Sequence, residues 1–435
     1  MFFCSSLLAQ SLTPVAYEGR FIPLDVYADR YIEDHSIQTT NPLLYLLEQE
    51  FSNDTNGDLF QMLPGKNGHW YPLKALSLKT GNFTLYSNSL FQSIQEKYLL
   101  LDIHHSTFFY QWNEFCSLLQ EGYSQIQKKE YPSWSQLWLE SMYHKYPWLG
   151  LLIGMYLFSF VLLISPQKNI GFICLCATWV LHTLFLAARS FILLRPPVSN
   201  MFETMIYVPW IAVAITLLFC KSKVRNFLLP TSAIFAVSLL AVLVLSGMDG
   251  RLHNTQPVLN SQYWLIVHVL MVVASYGAFV LGGLLSHLYL LSVLYSRRGI
   301  PALPKKILQL LYIGTGLLIC GTLLGGVWAA QSWGRFWDWD PKESWAFISS
   351  AIYLVIIHLY QFKQIGEVGL AIGSILGMLA ITFTWYGVNY ILGTGFHSYG
   401  FGSGGELYYY LFLAVEICWI GLFLSRFRKQ QNPNF

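Results

Sequence analysis

A short segment rich in tryptophan, from Gln331 to Trp345, combines residue types that could bind a ligand. Its sequence, QSWGRFWDWDPKESW, places four tryptophans within thirteen residues. Trp333 and Trp337 are four residues apart, a spacing that puts two side chains on one face of a helix. We therefore expect a flat aromatic surface that would suit a large planar ligand, and we call residues 331–345 the tryptophan segment.

Two simpler interpretations of the tryptophan segment stay open beside ligand binding. Tryptophans are common where a membrane helix meets the lipid headgroups, and Trp345 at the start of an apolar run fits such a belt. Asp340, Pro341 and Glu343 also match the N-cap, N1 and N3 positions of a capping box, which would begin a helix here. Neither interpretation explains the tryptophans that precede Asp340.

Histidines inside or beside apolar runs are the other candidates for chemistry among the eleven in the chain. His268 and His397 flank the tryptophan segment in sequence. His358 lies inside an apolar run, where an ionisable residue is costly and is therefore a functional candidate. His182 and His287 also lie inside apolar runs, and for both of them a hydrogen bond between helices is the alternative explanation. The remaining histidines, expected at the surface, are His35, His69, His104, His105, His144 and His253.

The composition places these residues in a membrane protein. Of the 435 residues, 54% are hydrophobic, 17% are aromatic and only 11% are charged, about half the usual charged share. The formal net charge of +3 is too small to indicate a nucleic-acid partner. The seven cysteines form no CxxC pair, which excludes a thioredoxin-like thiol exchanger, a cysteine zinc ribbon and a CxxCH haem-attachment site.

From Trp148 onward the sequence contains nine apolar runs. Each is about as long as a helix must be to cross a hydrocarbon core of roughly 30 Å. We predict an all-α fold class, a polytopic membrane bundle of about nine helices. The fifth run is overlong, so we expect it to project from the bilayer or to begin with an interfacial turn. The runs are 148–165, 170–194, 201–220, 226–246, 263–295, 307–330, 345–361, 369–392 and 407–424.

The apolar pattern divides the chain into three regions. Residues 1–147 are polar and form a mixed, mainly helical region of unclear fold, with amphipathic helices expected around 106–130 and 132–145. Residues 148–425 form the membrane domain. Residues 426–435 form a basic tail.

The positive charges predict which ends of the helices face the cytoplasm, because Lys and Arg in short loops are held on that side. One set of alternate loops carries twelve of them and the other set carries five. With nine crossings, this places the C-terminus inside and both the N-terminal region and the tryptophan segment outside. The first twelve residues lack the basic part of a signal peptide, so either the true start lies upstream or the helix count is off by one.

The tryptophan segment resembles the WWD signature of the haem-handling proteins of cytochrome c maturation, through its spacing W-G-x-x-W-x-W-D-x-x-E. Three further strings are similar to landmarks of that family: RPPVSNMFE from Arg195, WLIVHV from Trp264 and GTGFHSYGF from Gly393. Together they span roughly residues 180 to 405 and are more similar to the CcsA (ResC) branch of system II than to CcmC or CcmF.

The resemblance implies that haem b is both the transported substrate and the ligand. His268 and His397 match the family's external axial ligands of the haem iron, and His358 matches one ligand of an inner haem site. In the family the second inner ligand belongs to a CcsB (ResB)-like membrane protein, and His182 and His287 are the candidates within this chain. The residues expected to surround the external haem are Trp333, Trp337 and Trp339 for the ring, Arg335, Lys342, Arg251 and Arg195 for the propionates, and Asp340 and Glu343 for holding the segment in place.

The function that this resemblance implies is cytochrome c maturation in a bacterial cytoplasmic membrane. Haem would cross the membrane and be held at the outer face, where the thiols of an apocytochrome c CxxCH motif would add to its vinyl groups. The expected partners are haem, apocytochrome c, a CcsB-like protein and membrane lipid. Because positioning alone would suffice for a holocytochrome c synthase, no catalytic residue is assigned. A haem exporter or chaperone that does not catalyse attachment is the alternative.

Overall fold

The computed structural model describes eleven stretches of the chain, which form two compact units, Met1–Pro147 and Trp148–Phe435. The boundary falls where the sequence changes from polar to apolar. The described residues are 14–17, 20–51, 61–64, 70–72, 88–101, 107–126, 132–219, 224–252, 261–296, 299–393 and 406–431.

The described part of the N-terminal unit contains two short antiparallel hairpins and five helices. Strand β1 (Pro14–Tyr17) pairs with β2 (Arg20–Pro23), and β3 (Gln61–Pro64) pairs with β4 (Trp70–Pro72). The last two helices correspond to the amphipathic helices predicted around 106–130 and 132–145. The helices are α1 (Leu24–Asp34), α2 (Pro42–Phe51), α3 (Asn88–Leu99), α4 (Phe108–Ile126) and α5 (Trp134–Lys145).

Helix α4 supplies the largest side chains in the core of this unit. Phe108, Trp112 and Phe115 recur at the spacing of one helical face, and each is at most 2% exposed. They belong to one hydrophobic cluster with residues of the first hairpin and of α1 to α3. Arg20 donates two hydrogen bonds of 2.9 Å to Glu140, which ties α5 to β2.

The second unit is a bundle of nine helices in its described residues, one for each predicted apolar run. Two of them contain a π-helical segment. Helix α10 begins with Gln262–Trp264, passes through a π turn at Leu265–Val269 and continues as Leu270–Ser296, while α13 consists of Glu367–Thr382 followed by π-helical Phe383–Leu392. The others are α6 (Trp148–Ile164), α7 (Lys168–Leu193), α8 (Met201–Leu218), α9 (Arg225–Leu245), α11 (Leu303–Trp333), α12 (Pro341–Gln361) and α14 (Glu406–Gln431).

Eight of these nine helices are long and apolar enough to cross a membrane, and α6, with 17 residues, is the shorter ninth. The prediction of an all-α, multi-pass membrane bundle is therefore confirmed. Near the start of α10, the overlong fifth run contains the π-helical segment Leu265–Val269. Its projection from the bilayer, or an interfacial turn at its start, stays a prediction.

Helix α10 is the central helix of the bundle, in contact with α8, α9, α11, α13 and α14. Small residues allow close helix packing, as at Gly314 of α11, where a Cβ atom would lie 2.6 Å from the ring of Phe279. Helix α14 is packed least, with 17% of its most apolar stretch buried against 33–67% for the other seven candidate spans. Much of its surface therefore faces away from the bundle.

Candidate functional site

A cavity with about 1120 Å³ of empty space lies among α8, α10, α11, α12 and α13. We call it the histidine cavity, because His268 stands on its wall. Both π-helical segments contribute to the wall, with His268 from α10 and Trp385 from α13. Short π segments are rare and often occur at functional sites.

The environment of His268 fixes which ring nitrogen carries the proton. Its Nδ1 lies 2.7 Å from the carbonyl oxygen of Gly321 in α11. A carbonyl only accepts, so Nδ1 donates, and in the neutral ring the lone pair is then on Nε2. Histidines that bind metals commonly donate their other N–H to a backbone carbonyl in this way, which holds the ring in place and makes the ligand nitrogen more basic.

Gly325 of α11 makes room for the imidazole ring of His268. A Cβ atom at this position would lie 2.5 Å from Cε1, 2.9 Å from Nδ1 and 3.1 Å from Nε2 of the ring. Any larger side chain would therefore push the imidazole out of its present position. The pattern of the sequence alone did not single out this glycine.

Trp328 is an aromatic wall residue that the sequence analysis missed. Its ring meets His268 edge to face at 5.9 Å and stacks on Trp264 at 6.5 Å with an interplanar angle of 12°. Trp264 is itself held by a 2.9 Å hydrogen bond from Nε1 to Gln331 Oε1. The available signal was the position of Trp328 one helical turn ahead of the tryptophan segment.

The tryptophan segment does not form the aromatic helical face that its spacing predicted. Helix α11 ends at Trp333, because Gly334 adopts a left-handed backbone with φ +74° and caps it. Trp333 and Trp337 therefore lie on different elements, and the prediction of one shared helical face is wrong. Trp337 lines the histidine cavity, whereas Trp339 is 76% exposed and meets the Trp337 ring edge to face at 6.0 Å.

The acidic residues of the tryptophan segment begin α12 in a modified capping arrangement. Asp340 is the N-cap residue, and its Oδ1 accepts a 2.9 Å hydrogen bond from the Lys342 N–H. Glu343 accepts a hydrogen bond of 3.0 Å from the Asp338 N–H. The predicted capping box would instead have Glu343 accept from the N–H of the N-cap residue, Asp340. Trp339, at φ +57°, lies in the turn between the two groups. Glu343 also lines the cavity.

The two predicted propionate partners within the segment differ in their positions. Arg335 is 44% exposed and forms a 2.7 Å ion pair with Asp338. Lys342 lines the histidine cavity, and its Nζ donates to the Trp385 carbonyl and to Asn389 Oδ1, each at 3.1 Å. An ammonium has three N–H donors, and within the part of the chain that the structure describes these contacts use two of them.

A buried ionic cluster holds the loop that forms another part of the wall. Glu203 of α8 accepts from Arg189 Nε at 2.9 Å, from Arg195 Nη1 at 2.8 Å and from the Ser199 N–H at 2.8 Å. The side chains of Arg189 and Glu203 are fully buried. Ser199 and Asn200 both line the histidine cavity, so the cluster positions this edge of it.

The other predicted histidine ligands do not line the histidine cavity in the described residues. His358 of α12 is exposed, and its Nδ1 donates to the Leu354 carbonyl at 2.7 Å. His182 is buried and forms a 3.0 Å hydrogen bond with Tyr156 Oη, the link between helices that was its alternative explanation. His397 lies outside the described residues, and its position stays a prediction.

His287 also connects two helices. Its Nδ1 donates to the Gly283 carbonyl at 2.8 Å, and its Nε2 lies 2.9 Å from Glu416 Oε2 on α14. Because both ring nitrogens are engaged, His287 has no nitrogen left to bind iron in this conformation. The structure therefore contains the hydrogen bond between helices that was the alternative explanation for His287.

Comparisons with known proteins place this arrangement among proteins of cytochrome c assembly. The family model described as cytochrome C assembly protein matches residues 198–397. This range includes His268, the tryptophan segment, and Ser199 and Glu203 of the buried ionic cluster. Protein NrfI of Wolinella succinogenes is 32% identical over 374 residues, covering 80% of this chain but only 40% of NrfI. The chain therefore spans less than half of that relative.

Two plant proteins are matched over most of their length. The cytochrome c biogenesis protein CcsA of Amborella trichopoda is 31% identical over 296 residues, covering 58% of this chain and 93% of the relative. The CcsA protein of Platanus occidentalis is 30% identical over 287 residues, covering 54% of this chain and 86% of the relative.

Proposed function

This chain belongs to the CcsA family of cytochrome c biogenesis proteins and acts in cytochrome c maturation, and from that premise we propose that it carries haem b across a membrane and presents it at His268 for covalent attachment to apocytochrome c. The observation that carries the proposal is the setting of His268, which stands on the wall of the histidine cavity while its Nδ1 donates to the Gly321 carbonyl. Neutral imidazole with this second hydrogen bond is a usual axial ligand of haem iron.

Each part of a haem molecule would meet a suitable group in the histidine cavity. Nε2 of His268 would bind the iron, Trp328 and Trp337 would contact the macrocycle, and Lys342 would pair with a propionate. His397, Trp333, Trp339 and Arg335 remain proposed contributors from the rim, with Asp340 and Glu343 holding the segment.

The attachment reaction needs no acid or base from this chain. Each thiol of the CxxCH peptide would add across one vinyl double bond, so that a sulfur–carbon bond forms and the thiol proton passes to the other vinyl carbon. The peptide histidine would then replace one protein ligand on the iron. The protein would contribute by holding the two reactants in position, which can lower a barrier by several kcal/mol.

A second haem position would involve His358. Its exposure on α12 fits a site completed by another protein, and we assign the missing ligand to a CcsB (ResB)-like membrane protein rather than to His182 or His287. We place the chain in a bacterial cytoplasmic membrane, and the balance of Lys and Arg between loops supports an orientation with the tryptophan segment and the N-terminal unit outside and the C-terminus inside.

The test is to purify the full chain with its bound haem and compare His268→Ala with His35→Ala, an exposed histidine of the N-terminal unit. We expect His268→Ala to lose most of the haem absorbance or to change its axial-ligand spectrum, while His35→Ala matches the unmodified protein. Equal haem content and spectra in both variants would refute the assignment of His268.

The alternative function, haem export without attachment, differs in its product. The chain and a CcsB-like partner would be produced with an apocytochrome c in cells that lack other maturation systems. A synthase must yield cytochrome with covalently bound haem, whereas an exporter alone would leave free haem outside and the apocytochrome unmodified.

A further inference from the structure

We propose that α5 lies in the lipid headgroup layer of the membrane and that its exposed face binds lipid there. Trp134, Trp138 and Lys145 follow one another at intervals of four and seven residues, which places them on one face of the helix. The two tryptophans are 48% and 46% exposed, and Lys145 is exposed as well. These three residues define the exposed face of α5. The proposal gives the N-terminal unit a lipid-binding surface and does not depend on haem.

The two faces of α5 are arranged in the opposite way from those of a helix on the surface of a soluble protein. Such a helix turns its apolar residues toward the core and its polar residues toward water. The buried residues of α5 are instead mostly polar, namely Gln136, Leu137, Glu140 and Ser141. Two exposed tryptophans opposite a buried side of this kind indicate that the exposed face meets a partner other than water.

Hydrogen bonds on the buried side hold the tryptophans outward. Glu140 accepts from both terminal nitrogens of Arg20. Ser141 Oγ donates to Asp25 Oδ2. Rotation of α5 to bury its tryptophans would leave the Glu140 carboxylate without this partner, which is strongly destabilising for a buried charge. The tryptophans therefore stay on the surface of the unit, where a partner can cover them.

The position of α5 in the chain makes the membrane the partner nearest to it. Helix α5 ends at Lys145, and α6, which contains no charged residue, begins at Trp148. Three residue steps of chain span at most about 11 Å, and each headgroup layer is roughly 5–7 Å thick. The end of α5 is therefore within reach of the headgroup layer at the point where α6 enters the hydrocarbon core.

The side chains of the exposed face suit lipid headgroups. Tryptophan is enriched at membrane interfaces, because its ring is apolar while its indole N–H donates to a polar group. Lys145, in the last turn of α5, would pair with a lipid phosphate. Glu140, the only carboxylate of α5, is on the buried side, so the exposed face carries no negative charge that would repel phosphate.

The experiment measures what surrounds a spin label on α5 of the full-length chain in nanodiscs of phosphatidylcholine and phosphatidylglycerol. Trp138→Cys carries the label. Tyr110→Cys is the control, because Tyr110 is an aromatic residue of the same unit and is 75% exposed on α4. Oxygen concentrates in lipid, whereas a water-soluble nickel complex is excluded from it. The native chain, treated in the same way, gives the signal of its own cysteines, which is subtracted.

We expect the ratio of oxygen collisions to nickel collisions to be several-fold higher for the label at position 138 than for the label at position 110. Equal ratios at the two positions would place the exposed face of α5 in water and overturn the proposal. A label at position 138 that is shielded from both reagents would overturn it as well, because protein would then cover this face.

A second label position keeps both tryptophans and covers the case in which Trp138→Cys itself releases the helix. Ser135 is exposed beside Trp134, so a label on Ser135→Cys reports on the same helix. We expect Trp134→Ser together with Trp138→Ser to raise the nickel collisions of this label several-fold, whereas Tyr110→Ser leaves them unchanged. Nickel collisions that stay the same without the two tryptophans would show that these side chains do not hold α5 in lipid, which overturns the proposal.

Discussion

Gly325 sets the position of the His268 imidazole, and its substitution is the smallest change that should disturb the site. A Cβ atom there would lie 2.5 Å from Cε1 of the ring, so Gly325→Ala must displace the imidazole or the helix. Overpacking of this kind costs about 1–3 kcal/mol. We expect Gly325→Ala to reduce bound haem and to shift its absorption spectrum.

Gly316 of the same helix is the matched control, because a Cβ atom there would meet nothing within 4 Å. Alanine is a better helix former than glycine by about 1 kcal/mol, so Gly316→Ala should keep its haem and be slightly more stable. If both variants bound haem like the unmodified protein, the packing of Gly325 against His268 would have no role in binding.

Lys342 provides a test of propionate recognition that is separate from iron binding. We expect Lys342→Met to weaken haem binding by about 1.5–3 kcal/mol, the usual contribution of a hydrogen bond to a charged group. Haem dimethyl ester lacks the carboxylates, so the variant should bind the ester and free haem with similar affinity. Titration of both ligands checks this.

Lys305, exposed near the start of α11, gives the corresponding control. Lys305→Met should retain the preference of the native protein for free haem over the ester. If Lys342→Met kept that preference as well, its ammonium would serve only to hold Trp385 and Asn389.

The individual site residues were only partly predictable from the sequence. His268, Trp337 and Glu343, which the sequence singles out, stand on the wall of one cavity, whereas Trp328 and Gly325 were missed. Their roles depend on which face of α11 meets α10, and helix packing of this kind is not contained in local spacing. The prediction that Trp333 and Trp337 share one helical face was wrong because Gly334 ends α11 between them.

At the level of elements, the loop between α7 and α8 depends on a buried carboxylate. Glu203→Gln would leave two guanidinium groups buried beside a neutral amide, and breaking a buried pair costs about 3–5 kcal/mol. We expect a lower thermal transition and faster proteolysis around residues 195–200. Glu114→Gln is the control, because its 2.8 Å ion pair with Lys97 is partly exposed and worth about 0–1 kcal/mol. Equal stability of the two variants would exclude a structural role for the cluster.

The contact between α1 and α5 makes the stability of the N-terminal unit depend on pH. Asp25 accepts hydrogen bonds from Ser141 Oγ and the Val26 N–H, yet burial raises the pKa of its carboxyl above the ordinary 3.8. The folded state therefore holds this proton more tightly than the unfolded chain does. The free energy of unfolding must then fall as pH rises from about 4 through the native pKa.

Replacing Asp25 by asparagine should remove this dependence. As pH rises from about 4 through the native pKa of Asp25, the native unit should lose stability, and Asp25→Asn should lose less. Hydrogen exchange of α1 and α5 amides in the full chain measures the difference. Glu33→Gln, an exposed change on α1, should behave like the native chain, and identical pH profiles for all three proteins would contradict the role of Asp25.

At the scale of elements, the sequence predicted where helices occur but not how two of them deviate from α geometry. Long apolar runs specify membrane helices directly, because every backbone group must be satisfied within the span. The π segments at Leu265–Val269 and Phe383–Leu392 follow the same apolar pattern as the helices they interrupt. That His268 and Trp385, one from each segment, line one cavity emerges only from the assembled bundle.

For the whole molecule, the position of His358 predicts where a partner binds. It is an exposed ionisable residue on a face of α12 that also exposes Val355 (56%) and Phe362 (70%). Such a residue facing lipid is costly, and a CcsB-like helix covering it would remove that cost while supplying the second ligand of the inner haem.

Cross-linking in membranes that contain both proteins tests this surface. A cysteine at Val355, beside His358, should cross-link to the CcsB-like partner, while a cysteine at Ile173, 66% exposed on α7, should not. His358→Ala should then abolish the partner-dependent haem spectrum and leave the spectrum that depends on His268. Iron ligation requires the two proteins to meet at His358. Two results would therefore show that the inner site lies on another face: cross-linking from α7 instead of α12, or a partner-dependent haem that survives His358→Ala.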